Sequence, residues 1–105
     1  MANDTFRALA HPLRRDIVER LSGGAATVGE VTHDFGVSKP TISRHLKILE
    51  EAGVVSRVID GRTHRLALRP EALAEASDWI DVQRERWERL FDVVGDYLEE
   101  RKEQR

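Results

Sequence analysis

The sequence predicts a mainly α fold with one β-hairpin, in the order four short helices, hairpin, long helix, all within a single domain spanning 1–105. Three observations carry this expectation. Apolar residues recur at helical spacing from Phe6 to Leu49, in short blocks broken by His11-Pro12, Gly23-Gly24 and Gly36. The period then changes. Val54 to Ile59 is rich in β-branched residues, Arg62 to Leu68 alternates, and Asp60-Gly61 separates them as a hairpin signal. From residue 71 to about 102 the helical period returns and persists to the end of the chain.

Each element has its own signals. Asn3 or Asp4 can cap a first helix that carries Phe6 and Leu9, and Pro12 suits the first turn of the second, which buries Leu13, Ile17 and Leu21. Thr27-Val28-Gly29-Glu30 is a capping box that opens a third helix with Val28, Val31 and Phe35 inward. A short connection, Gly36-Val37-Ser38, leads into a fourth. Ser38 is its N-cap, Pro40 sits where no helical N–H is lost, Ile42, Leu46 and Leu49 form one apolar stripe, and Gly53 can take the left-handed conformation that ends it. Two short helices joined by about three residues with a glycine form a helix-turn-helix, and a hairpin beside one is a wing. With Asp60 and Gly61 as the loop of a type I′ turn, Val55 pairs with Leu66, and Leu68 shares their face. The last helix could run unbroken or in two pieces, with Ser77 as a second cap.

The outer face of the fourth helix holds Lys39, Thr41, Ser43, Arg44 and Lys47, with no carboxylate before Glu50. Cations and hydroxyls opposite a buried stripe suit a DNA major groove. Candidate DNA contacts are therefore Ser38, Lys39, Pro40, Thr41, Ser43, Arg44 and Lys47 on this helix. Arg57 and Arg62 join them on the wing, where Arg62 could enter a minor groove or meet phosphate. Pro40 can offer only an apolar contact, and Arg44 has the planar fork that matches a guanine edge. His45 lies between the apolar stripe and the basic face and is better suited to a neighbouring backbone or side chain than to a base.

The overall charge of −2 argues against a nucleic-acid binder, but its distribution does not. Residues 37–69 hold 7 Lys+Arg against 3 Asp+Glu, whereas residues 71–105 hold 6 against 11. Cysteine is absent, which excludes disulfides and thiolate metal sites and fits a reducing compartment. No apolar run resembles a signal peptide or a membrane span, so the expected location is cytoplasmic, with no membrane partner. Nucleophile motifs, phosphate-cradling glycine loops and H-E-x-x-H are missing, and the expectation is a protein that is not an enzyme and carries no cofactor. His11, His33 and His64 are too scattered to suggest a metal site.

On the last helix Trp87, Leu90, Phe91, Val94, Tyr97 and Leu98 form one broad face, longer than the preceding residues can cover. A second copy of the same helix is the economical cover, so these residues, with Phe6, form the candidate homodimer interface.

Four stretches, Phe6–Leu21, Thr27–Val31, Gly36–Val55 and Asp60–Leu68, together resemble the ArsR family of bacterial winged-helix transcriptional repressors over nearly the whole chain. The run S-x-P-T-x-S-x-H-L followed by L-x-x-A-G, Ser38 to Gly53, is the specific part. The resemblance implies a homodimer through the first and last helices, binding to double-stranded operator DNA, and loss of repression when an effector, here unknown, binds. Metal-sensing members carry cysteines on the third helix or a histidine-containing set on the last. Here the third helix holds Thr32-His33-Asp34-Phe35 without cysteine, and residues 71–105 contain no histidine, so neither metal site is expected. The expected function is a sequence-specific DNA-binding transcriptional regulator, most economically a repressor on an inverted-repeat operator. The alternative is a winged-helix interaction module that pairs with protein through its acidic last helix.

Overall fold

Helices leave their terminal backbone groups unpaired, and this chain places a capping group or a glycine at most of those ends. The computed structural model describes residues 2–103. The elements are α1 (Ala2–Leu9), α2 (Pro12–Ser22), β1 (Ala26–Thr27), α3 (Val28–Phe35), α4 (Lys39–Glu51), β2 (Val55–Asp60), β3 (Thr63–Leu68) and α5 (Pro70–Glu103). Asn3 and Asp4 lie inside α1, so the capping position falls outside the described residues. His11 caps α2, with its Nδ1 accepting the N–H of Leu13 at 3.1 Å. Both halves of the Thr27–Glu30 capping box form at α3. Gly36 ends α3 at φ +61°, and Gly53 follows α4 at φ +74°.

The core gathers Ile17 and Leu21 of α2, Val28 and Val31 of α3, Ile42, Leu46 and Leu49 of α4, and Val55 and Leu66 of the hairpin. On α1 the buried residues are Thr5 and Ala8, while Phe6 and Leu9 are half-buried. Phe6 turns instead toward α5, where its ring meets the edge of Trp79 at 5.4 Å between centroids. Ala72 and Ala76 are the buried residues of α5.

The sheet has three antiparallel strands in the order β1-β3-β2. β1, not foreseen from the sequence, pairs Ala26 with Leu66 and Thr27 with Arg65. The hairpin differs from expectation in register. Val55 pairs with Leu68 and Arg57 with Leu66, and Asp60 pairs with Thr63 across a loop of Gly61 and Arg62. Gly61 has φ +60° and, among the described residues, none other than glycine has positive φ, which is the pattern of a type II′ turn with glycine first, not the I′ turn expected from Asp-Gly. The shift is two residues, one full pleat repeat, so the same side chains still face inward.

α5 is one unbroken helix that starts at Pro70, and Ser77 does not begin a second piece. A lone serine is only mildly unfavourable within a helix, and neither proline nor glycine interrupts residues 71–94. At ~1.5 Å per residue, its 34 residues span roughly 50 Å, which explains a molecule 75 Å long and only 24 × 21 Å across.

Candidate nucleic-acid interface

The N-terminus of α4 is set by Ser38, whose extended backbone (φ −67°, ψ 151°) turns its hydroxyl onto the N–H of Thr41 at 3.3 Å. The Ser38 and Thr41 hydroxyls also share a hydrogen bond of 2.7 Å. Thr41 is half-buried, so this pair serves the cap at least as much as it offers donors outward. Behind them Ile42, His45, Leu46 and Leu49 are buried. This leaves Lys39, Pro40, Ser43, Arg44 and Lys47 exposed on the opposite face. Lys39, Ser43 and Lys47 follow one another at i, i+4, i+8 and form a row along the helix, with Pro40 and Arg44 in the adjacent row.

The wing stands next to that row. A cleft of about 540 Å³ runs between them, lined by Lys39 and Ser43 of α4, by Arg57, Arg62, Thr63 and His64 of the wing, and by Thr27, Val28 and Gly29 at the start of α3. Among the described residues Lys39, Arg44, Lys47 and Arg62 have no ion-pair or hydrogen-bond partner, so their charges face solvent. Arg57 differs. Its Nε is paired with Glu50 Oε1 at the end of α4, and its Nη1 donates to His64 Nδ1 at 2.9 Å. Its charge is thus matched within the protein, and its visible role is to hold β2 against α4. His64, on the wing, also lines this cleft.

His45 sits beneath the basic face of α4. Its Nδ1 meets Arg14 Nη1 at 3.2 Å, and its ring lies 4.5 Å from that of His11. Burial pushes its imidazole below the ordinary histidine value of 6.5, and the charges of His11, Arg14 and Arg44 push in the same direction. Arg14 and Arg15 bond backbone carbonyls at the end of α1: Arg14 reaches Ala8 and Arg7, and Arg15 reaches Leu9. No group of three or more His, Cys, Asp or Glu able to hold a metal occurs among the described residues.

At the other end of the molecule Trp87, Leu90, Phe91, Val94, Tyr97 and Leu98 are all exposed, from 45% at Val94 to 66% at Phe91. Trp87 and Phe91 stack loosely at 5.9 Å. Phe6 is not among them. It sits beside Trp79, about 12 residues or ~18 Å along α5 from Phe91. No described helix is long and apolar enough to cross a membrane.

Residues 9–58 match a family of helix-turn-helix domains. Two curated relatives are the transcriptional repressor SdpR of Bacillus subtilis (strain 168), 37% identical with 74% of this chain and 87% of the relative covered, and the HTH-type transcriptional regulator Rv2034 of Mycobacterium tuberculosis, 44% identical with 72% and 71% covered. Among solved structures, the ArsR family transcriptional regulator RHA00566 is 36% identical with a TM-score of 0.78, over 82% of this chain and 94% of that one. The exposed basic face of α4, the wing beside it and these relatives agree: the chain belongs to the ArsR family of winged helix-turn-helix proteins and is a DNA-binding transcriptional regulator, not an enzyme.

Proposed function

We propose that the protein is a homodimeric repressor in which α4 of each copy enters a major groove of an inverted-repeat operator in the cytoplasm. The observation that supports this most directly is the α4 face, where Lys39, Ser43, Arg44 and Lys47 are exposed without a carboxylate among them. The relative SdpR is a transcriptional repressor, which supports repression as the direction of control. Two-fold symmetry puts half-site centres about one helical turn apart, ~34 Å, or a multiple of it. Arg44 reads a guanine edge, while Lys47 and Arg62 bind phosphate. The effector is a ligand other than a metal at the family's metal sites, because α3 has no cysteine and residues 71–105 have no histidine.

Selection of bound duplexes from a random pool tests the reading. Arg44→Ala should then cost roughly 1–3 kcal/mol per half-site and relax preference at one base pair. A folded Arg44→Ala protein with unchanged affinity and preference would remove α4 as the reader. Zinc or cadmium added to the complex should leave it intact. Metal-dependent release would show that the effector reading is wrong.

A further inference from the structure

One side chain joins three helices behind the reader face. Arg14 of α2 donates through Nε to the carbonyl of Ala8 at 2.6 Å and through Nη2 to that of Arg7 at 3.2 Å, both at the end of α1. Its Nη1 meets His45 Nδ1, on α4, at 3.2 Å. A guanidinium has no acceptor, so His45 Nδ1 accepts and is unprotonated, and its proton is on Nε2. His11, at the α1–α2 junction, is held alike: its Nδ1 accepts the N–H of Leu13 as the cap of α2. The two rings lie 4.5 Å apart and 46° from parallel. Both histidines therefore use, as an acceptor, the nitrogen that protonation would turn into a donor.

We propose that Arg14, His45 and His11 are positioning residues that fix α4 against the end of α1, and that proton uptake by His45 loosens α4 and weakens operator binding. The inference rests on α4 being the reader.

A proton on His45 Nδ1 would face an Arg14 N–H and break the link between α4 and α1. The charged groups around His45 are His11, Arg14 and Arg44, none of which could neutralise an imidazolium. Several carboxylates of the surrounding elements are engaged with other groups, and Asp16 and Glu19 of α2 line a groove with Arg20, Asp34 and Phe35. Glu50 pairs with Arg57 of β2, and Asp34 and Glu30 of α3 pair with Arg20 of α2. Asp4 and Arg7 of α1 line a separate groove with Glu51 and Ile48 of α4. The position of α1 matters beyond this cluster, because Phe6 of α1 carries the contact with Trp79 of α5. The cluster thus lies on the path from the long helix to the reader.

The test uses the tightest duplex recovered by selection with the unaltered protein, at constant ionic strength. Affinity is measured at about pH 7.5 and about pH 5.5, which bracket the ordinary histidine range. Asparagine at position 45 can present an oxygen where Nδ1 stands and does not titrate. Relative to His45→Asn, the unaltered protein should lose about three- to tenfold more affinity on acidification, since one linked proton allows at most about tenfold per pH unit. Arg14→Gln should weaken binding at neutral pH while the helical circular dichroism stays unchanged. Coincident pH profiles for the unaltered and His45→Asn proteins would overturn the proposal. Imidazole ¹⁵N shifts of the free, unaltered protein give a measure independent of any variant. They should place the neutral-pH proton of His45 on Nε2, and a proton on Nδ1 would overturn it too. Failure of the reader assignment looks different: Arg44→Ala would keep its sequence preference, while the His45 tautomer stays as described.

Discussion

Arg57 and Arg62 stand five residues apart on one hairpin and serve different ends. Arg57 is held between Glu50 and His64 with about a quarter of its side chain exposed, whereas Arg62, at the tip, has no partner among the described residues. Arg57→Ala should lower stability by about 1 kcal/mol, seen as an earlier thermal transition, because it removes a partly shielded pair between β2 and α4. Arg62→Ala should leave the transition in place and reduce the salt dependence of DNA binding by about one unit per subunit. Equal effects of the two substitutions on the salt slope would show that Arg57 also meets DNA. His45 predicts a pH dependence of stability with a definite sign. Its folded value lies below 6.5, so in that window the unfolded chain binds more protons. Its contribution is complete above the unfolded value and is lost as pH falls through the folded one. The melting temperature should therefore drop on acidification through this range, and His45→Asn should flatten that drop. In the sequence, the exposed cations of α4 were legible from their spacing alone. The partners of Arg57 and Arg14 were not, because each lies on another element and only the tertiary arrangement brings it near.

Elements with a marked end could be read directly. Ser38, Thr27 and Gly53 all act as their types suggest, and the capping box at α3 predicts that Thr27→Ala costs about 1 kcal/mol, measurable by urea denaturation. β1 escaped the reading because it is two residues long and Thr27 serves it and the α3 cap together. The hairpin shows the limits of turn signals. Asp-Gly marked the right place, but Asp60 belongs to the ladder and Gly61 opens the loop. Gly61→Ala should cost about 1 kcal/mol, since alanine resists the left-handed region. In a type I′ turn with Asp60 as the first loop residue, that residue too would need positive φ, and it has none. The continuity of α5 was left open in the sequence because a serine followed by an aspartate fits both a cap and a helix surface.

For the whole molecule, the proposed dimer rests on the distal half of α5. Its apolar face is exposed along several turns, and nothing among the described residues covers it. Sedimentation at micromolar concentration should give a dimer, and Phe91→Glu with Leu98→Glu should shift it toward monomer. A stable monomer of the unaltered protein would exclude the proposed interface. The sequence announced this surface through the helical period of its aromatic and aliphatic residues. It did not announce that Phe6 would sit far from Phe91, because α1 docks near the start of α5, where Ala72 and Ala76 are buried, and only the tertiary arrangement shows this.

The length of α5 also separates charge. Residues 37–69 carry 7 basic against 3 acidic side chains, residues 71–105 carry 6 against 11, and the molecule that contains them is 75 Å long. Such a chain is an electric dipole. Its small net charge gives it little general attraction to a polyanion, but the field of DNA exerts a torque on it. At physiological salt that field decays over ~8 Å, so the torque acts only in the last stage of approach. Within that distance it turns the wing and α4 toward the duplex and the acidic end away, and fewer encounters are lost to the wrong orientation.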